Sequence, residues 1–237
     1  MIQTEGIFVG GSAISAPIIG EDFNWTGGDG TYQVLDDGGG NWRIKFLSSG
    51  TFTPLKNMVI DAFLVGGGGG SGSSYCGAGG AGYTTTVRSV VLTANTAYSI
   101  VVGAAGTNGN PSSAGGETTA FTASAAGGKN TSNGTSSSKR PGGAGGSGVA
   151  GYVSPVATTT GGTDGGDGTS SATTGGKGQG TTTREFGEAD GTLYASGGGS
   201  NLTATVSNSG NGGRNGITSI APADGIVVIR QHKEVAA

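Results

Sequence analysis

Of the 237 residues, 54 are glycine, about 23 % against about 7 % in an ordinary protein, and 11 % are charged against about 25 %. The net charge of -3, with 12 Lys and Arg scattered along the chain, gives no cationic footprint for phosphates and disfavours nucleic-acid binding. Six prolines and no strict three-residue glycine period exclude collagen, the single cysteine Cys76 excludes an intrachain disulfide, and clustered β-branched residues with low net charge favour order over a disordered chain.

Residues 1 to about 30 are turn-rich, with short apolar pieces at Phe8-Val9 and Pro17-Ile18-Ile19, and residues 1–41 read as an N-terminal arm. Tyr32-Gln33-Val34-Leu35, the turn Asp36-Asp37-Gly38-Gly39-Gly40 and the alternating run Trp42-Arg43-Ile44-Lys45-Phe46 predict a hairpin. Its period of two puts Trp42, Ile44 and Phe46 on a buried face and turns Arg43 and Lys45 to water. A short strand is expected at Thr51–Pro54, and Val59–Val65 is apolar enough to be buried on both faces. Tyr83–Val91, Tyr98–Gly103, a weaker Phe121–Ala123 and the closing Asp224–Arg230 complete the predicted strands. No window keeps a helical period, so the expected class is all-β: a jelly-roll-like β-sandwich framework over 42–125 and 217–231 within a domain of residues 42–237.

Val65 runs directly into Gly66–Gly70, and residues 126–216 form a glycine-rich insertion whose glycine runs have no fixed repeat. Glycine at this density can form the three-residue-per-turn polyglycine II helix, which has no internal hydrogen bonds and must bond to neighbours of its own kind. That packing leaves no room for side chains, which accounts for glycines coming in runs.

The chemistry is sparse. The single histidine, His232, lies in the charged stretch Arg230-Gln231-His232-Lys233-Glu234, where any catalytic triad would have to be built on it; a solvated tail is the reading. Cys76 has no basic neighbour in sequence to make it a nucleophile. Gly67, Gly69 and Gly72 match the dinucleotide fingerprint in spacing, but more glycine follows where a helix is required. Gly128-Lys129-Asn130 and Gly176-Lys177-Gly178 lack the Ser or Thr of a phosphate loop. Asp164 and Asp167 lie in one Asp-Gly segment that is faintly like a calcium-binding repeat, and occur once. No enzyme activity, metal or cofactor is expected, and neither a leader nor a membrane-spanning run is read in the sequence. Tyr75, Tyr83, Tyr152, Phe186 and Tyr194 stand alone in Gly/Ser/Thr surroundings, either as recognition anchors or as plugs that tether a glycine lattice to the β core.

The Gly-Thr-Phe-Thr strand at 50–53, Ala62-Phe63-Leu64-Val65-Gly66, Tyr98–Gly106, the segment Thr183–Gly199 and Gly225–Arg230 together resemble the glycine-rich domain of bacteriophage tail-fibre and tail-tip adhesin proteins. The resemblance covers about residues 42–231. It implies a β-sandwich carrying polyglycine helices and a non-enzymatic virion protein at the tail fibre or tail tip. Host attachment would proceed by binding a bacterial surface polysaccharide or outer protein, with other tail proteins held through the N-terminal segment. Receptor specificity would lie in loops 129–141 and 152–174; the resemblance carries over no single binding residue, and Tyr75, Tyr152, Asp164, Asp167, Phe186 and Tyr194 are candidate contact residues from the reading of the chain itself. Two alternatives stay open: a structural tail or baseplate component touching only virion proteins, and a glycan depolymerase using paired carboxylates such as Asp164 and Asp167. Monomer and homotrimer are both compatible with the sequence.

Overall fold

The computed structural model describes residues 22–73, 77–133, 183–198, 206–213 and 220–232. It is all-β, with two five-stranded antiparallel sheets packed face to face. One sheet has the order β1 (Phe23–Trp25), β4 (Gly50–Pro54), β7 (Tyr98–Val101), β8 (Thr118–Ala120) and β9 (Ala123–Ala125). The other runs β2 (Tyr32–Gly38), β3 (Asn41–Phe46), β10 (Ile226–Gln231), β5 (Met58–Val65) and β6 (Thr84–Leu92). Between them Phe46, Phe52, Ile60, Leu64, Ile100 and Ile229 are fully or almost fully buried, and Phe46 meets Phe52 edge to face at 5.5 Å. Alternation in β3 sends Ile44 and Phe46 into this core, as the sequence predicts.

Three expectations are corrected. The boundary at residue 41/42 does not separate an arm from the framework, because β1 pairs with β4 and β2 with β3. Phe23 and Trp25, placed in the arm by their turn-rich surroundings, pack on Phe52 and Phe46. The single weak strand at Phe121–Ala123 is instead the tip of a hairpin. Phe121 and Thr122 take positive φ of 50° and 66° between β8 and β9, a conformation unusual for such residues and therefore not signalled by them. Arg43 and Lys45 do not face open water, because residues 183–195 cover that side of β3.

That cover makes the second sheet buried on both faces. Phe63, Val65, Ile226 and Val228 point away from the main core into a second cluster completed by Ala81, Phe186, Tyr194 and Ala195. The unbroken apolar character of β5 and β10 follows from this double burial.

Beyond Val65 the hydrogen bonding changes from ladder to lattice. The amides of Gly66 and Gly69 donate to the carbonyls of Tyr83 and Gly80, those of Gly67 and Gly70 to Gly116 and Ser113, and that of Gly68 to Ala223. The carbonyls of Gly67 and Gly70 accept from Gly128 and Thr131, those of Gly68 and Ser71 from Gly106 and Gly109, and that of Gly69 from Gly213. Partners therefore repeat every three residues and come from six separate stretches of chain, the pattern of a polyglycine II helix enclosed by neighbours. A Cβ at Gly68 would strike the Asn211 carbonyl, and one at Gly67 or Gly70 the carbonyls of Ala104 or Thr107, all well inside 3.0 Å.

Candidate functional site

Ionisable side chains gather on the outer face of the second sheet, where β3, β10, β5 and β6 lie under residues 183–194. Glu185 is almost fully buried and is held by Arg43 Nη1 at 2.5 Å, Lys45 Nζ at 3.2 Å and the Tyr194 hydroxyl at 3.2 Å. Burial and then the Glu185 charge hold the Tyr194 phenol far above its ordinary range, so it is a hydrogen-bond donor and not a proton acid at any working pH. Arg230, 5 % exposed at its side chain, stacks on the Phe186 ring at 4.1 Å and pairs with Glu188 at 2.6 Å.

Asp61 is the second buried carboxylate and the better connected one. The β5–β6 register shifts between Ile60, opposite Val90, and Ala62, opposite Val87, so Arg88 and Ser89 form a bulge facing Asp61 alone. Its oxygens accept from Arg88 Nη1 and Arg230 Nε, both at 3.2 Å, from the Ser89 amide at 3.2 Å, and from His232 Nδ1 at 2.6 Å. Burial pushes this carboxyl up, but the bonds from His232, the Ser89 amide and Arg230 outweigh it and hold the group below its ordinary 3.8. His232 is thus no solvated tail. Its main-chain amide donates to the Val59 carbonyl, and Nε2 lies 3.1 Å from Ser89 Oγ. Ser89 itself is exposed and takes φ of 56°.

An open cleft of about 530 Å³ reaches His232 from the ends of β3, β5 and β10, with Trp42, Lys56, Asn57 and Gln231 among its walls. Among the described residues no set of three metal-ligating side chains gathers, and no helix is long and apolar enough to cross a membrane.

The candidate contact residues divide into two groups. Phe186 and Tyr194 are 2 % and 6 % exposed, with rings 6.1 and 5.5 Å from Phe63, so both tether the covering segment to the sheet. Tyr75, Tyr152, Asp164 and Asp167 lie outside the described residues, as do Cys76, loop 152–174 and loop 129–141 beyond residue 133. Tyr83 is 42 % exposed and closes the lattice through main-chain bonds to Gly66 and Ala126. The Ser89–His232–Asp61 contact is absent from the sequence reading, because its members are separated by up to 171 residues and only the bulge turns Ser89 toward Asp61.

A family model described as a glycine-rich domain matches residues 47–230. No curated protein matches the chain.

Proposed function

The chain belongs to the glycine-rich domain family, and from that premise we propose that it is a virion tail-fibre or tail-tip protein that binds a bacterial surface receptor during host attachment. The observation that carries this reading is the lattice around Gly66–Ser71, whose main-chain groups are taken up in six directions and which allows no side chain at its centre. Such a body serves as a mount for variable loops. Its segment 126–131 leads into residues 134–182, and Thr183 and Glu185 on the far side are buried. At the exit, Asn133 Oδ1 accepts from the Ser73 amide at 2.6 Å. The loops between carry the receptor specificity in this reading, and the partner is a surface polysaccharide or outer protein.

Deleting residues 152–174 and measuring adsorption of the particle to host cells tests it. The expected result is lost adsorption with the framework intact, and unchanged adsorption counts against receptor binding there. The burial of Phe186 and Tyr194 favours a second reading, a structural tail or baseplate component that contacts other virion proteins. Surface labelling of intact particles at residues 129–141 separates the two, since a buried component is not labelled. A depolymerase role for Asp164 and Asp167 predicts release of reducing ends from host capsule by the purified protein.

A further inference from the structure

We propose that Ser89, His232 and Asp61 form an acyl-transfer centre that hydrolyses accessible carboxylic esters. The proposal goes beyond receptor binding and does not depend on it. The geometry meets the requirements of a nucleophile, a base and an orienting acid: Ser89 Oγ to His232 Nε2 is 3.1 Å, and His232 Nδ1 to Asp61 Oδ1 is 2.6 Å. Asp61 is completely buried and also paired with Arg88 and Arg230, which fixes it as the carboxylate. An ionised Asp61 can only accept, so Nδ1 carries the proton and Nε2 is left to accept from the serine hydroxyl. The chain conformation adds an independent sign. Ser89 is a non-glycine residue in the left-handed region on a bulge, a strained arrangement that presents its hydroxyl at the surface.

In the reaction Ser89 Oγ attacks the ester carbonyl carbon as its proton passes to Nε2. The carbonyl–alkoxy bond then breaks, and the leaving alkoxide takes that proton and departs as an alcohol. Water attacks the acyl-serine, giving its proton to Nε2; the acid leaves, and the proton returns to Oγ. No redox partner or cofactor enters the balance. Donors for the oxyanion would come from the outer edge of β6, beyond which no strand pairs among the described residues.

Two measurements on the full-length protein decide the matter. The first is labelling with a fluorophosphonate probe followed by mapping of the modified residue, which needs no variant. The expected adduct is on Ser89; no adduct, or an adduct elsewhere with Ser89 unmodified, overturns the proposal. The second is hydrolysis of p-nitrophenyl acetate. Ser89→Gly suits the left-handed backbone and removes the hydroxymethyl side chain with its nucleophile, and His232→Gln retains a polar side chain without the base. Each is expected to lower the rate at least about 100-fold with an unchanged circular-dichroism spectrum. A wild-type rate no higher than that of Ser89→Gly shows the contact to be a structural latch and sinks the idea. Should either variant not fold, the labelling of the wild-type protein decides alone.

Discussion

Phe63 and Val65 in β5 are fully buried on account of their side chains, whereas Gly68, three residues further on, is buried because it has none. The sandwich removes apolar area from water, and its interior is built from interdigitating side chains. The glycine lattice has almost no such area to hide. It is held by main-chain hydrogen bonds between stretches distant in sequence, and each would leave an orphaned polar group if broken. A single strand thus passes from an environment that tolerates exchange of similar side chains to one that accepts no side chain at all.

The sharpest way to break this contrast is Gly68→Val. The added atoms meet the Asn211 main chain, while the Gly68 amide is tied to Ala223, so neither side can withdraw. Loss of about 4 kcal/mol or more, or no folded protein, is expected in denaturant titration. Unchanged stability would mean that Gly66–Gly70 is a plain linker. Phe63→Ala, a deletion on the sandwich side of the junction, should cost about 3–5 kcal/mol by the same measurement, because both Phe186 and Tyr194 lose a ring partner.

Asp61→Asn should cost about 3 kcal/mol, since it leaves Arg230 and Arg88 facing a neutral amide. The sign of its pH dependence follows from the carboxyl lying below 3.8 in the folded protein. The wild-type contribution is complete above 3.8 and is lost as the pH falls further toward the folded value. Denaturation midpoints measured from pH 5 down to pH 2 should therefore fall more steeply in the wild type than in Asp61→Asn. The smallest effect separates two uses of glycine. Gly39 has φ of 61° in the β2–β3 turn, and a Cβ there would meet only the Asn41 side-chain amide at an ordinary contact distance of 3.7 Å, so Gly39→Ala should cost about 1 kcal/mol in thermal unfolding. An equal loss at Gly39 and Gly68 would abolish the distinction between space and conformation.

The strands that alternate or run unbroken were readable: β3, β4, β5, β7 and β10 fall within a residue or three of where periodicity puts them. Glycine runs signalled a lattice but not which stretch meets which, because a glycine carries no mark of its partner. The face of Arg43 and Lys45 was readable as well, but not the fact that Glu185, 142 residues away from Arg43, lies over it. Alternation tells which way a side chain points and nothing about what covers it. The place of His232 is hidden for the same reason, since charged neighbours suggest solvent while its partners come from β5 and the β6 bulge. Of the candidate contact residues, the two that are described proved to be internal fasteners, as lone aromatics against a sheet often are.

The enclosed helix from Gly66 to Ser71 also sets an arithmetic for how such a chain can change in length. Its partners recur at every third residue, so one inserted residue turns everything downstream by about a third of a revolution and hands each amide to the wrong neighbour. Three inserted residues restore the orientation and only advance the chain by about 9 Å. Lattice segments can therefore grow or shrink only in triplets, like a message read in frame, while the loops that join them are free to take any length.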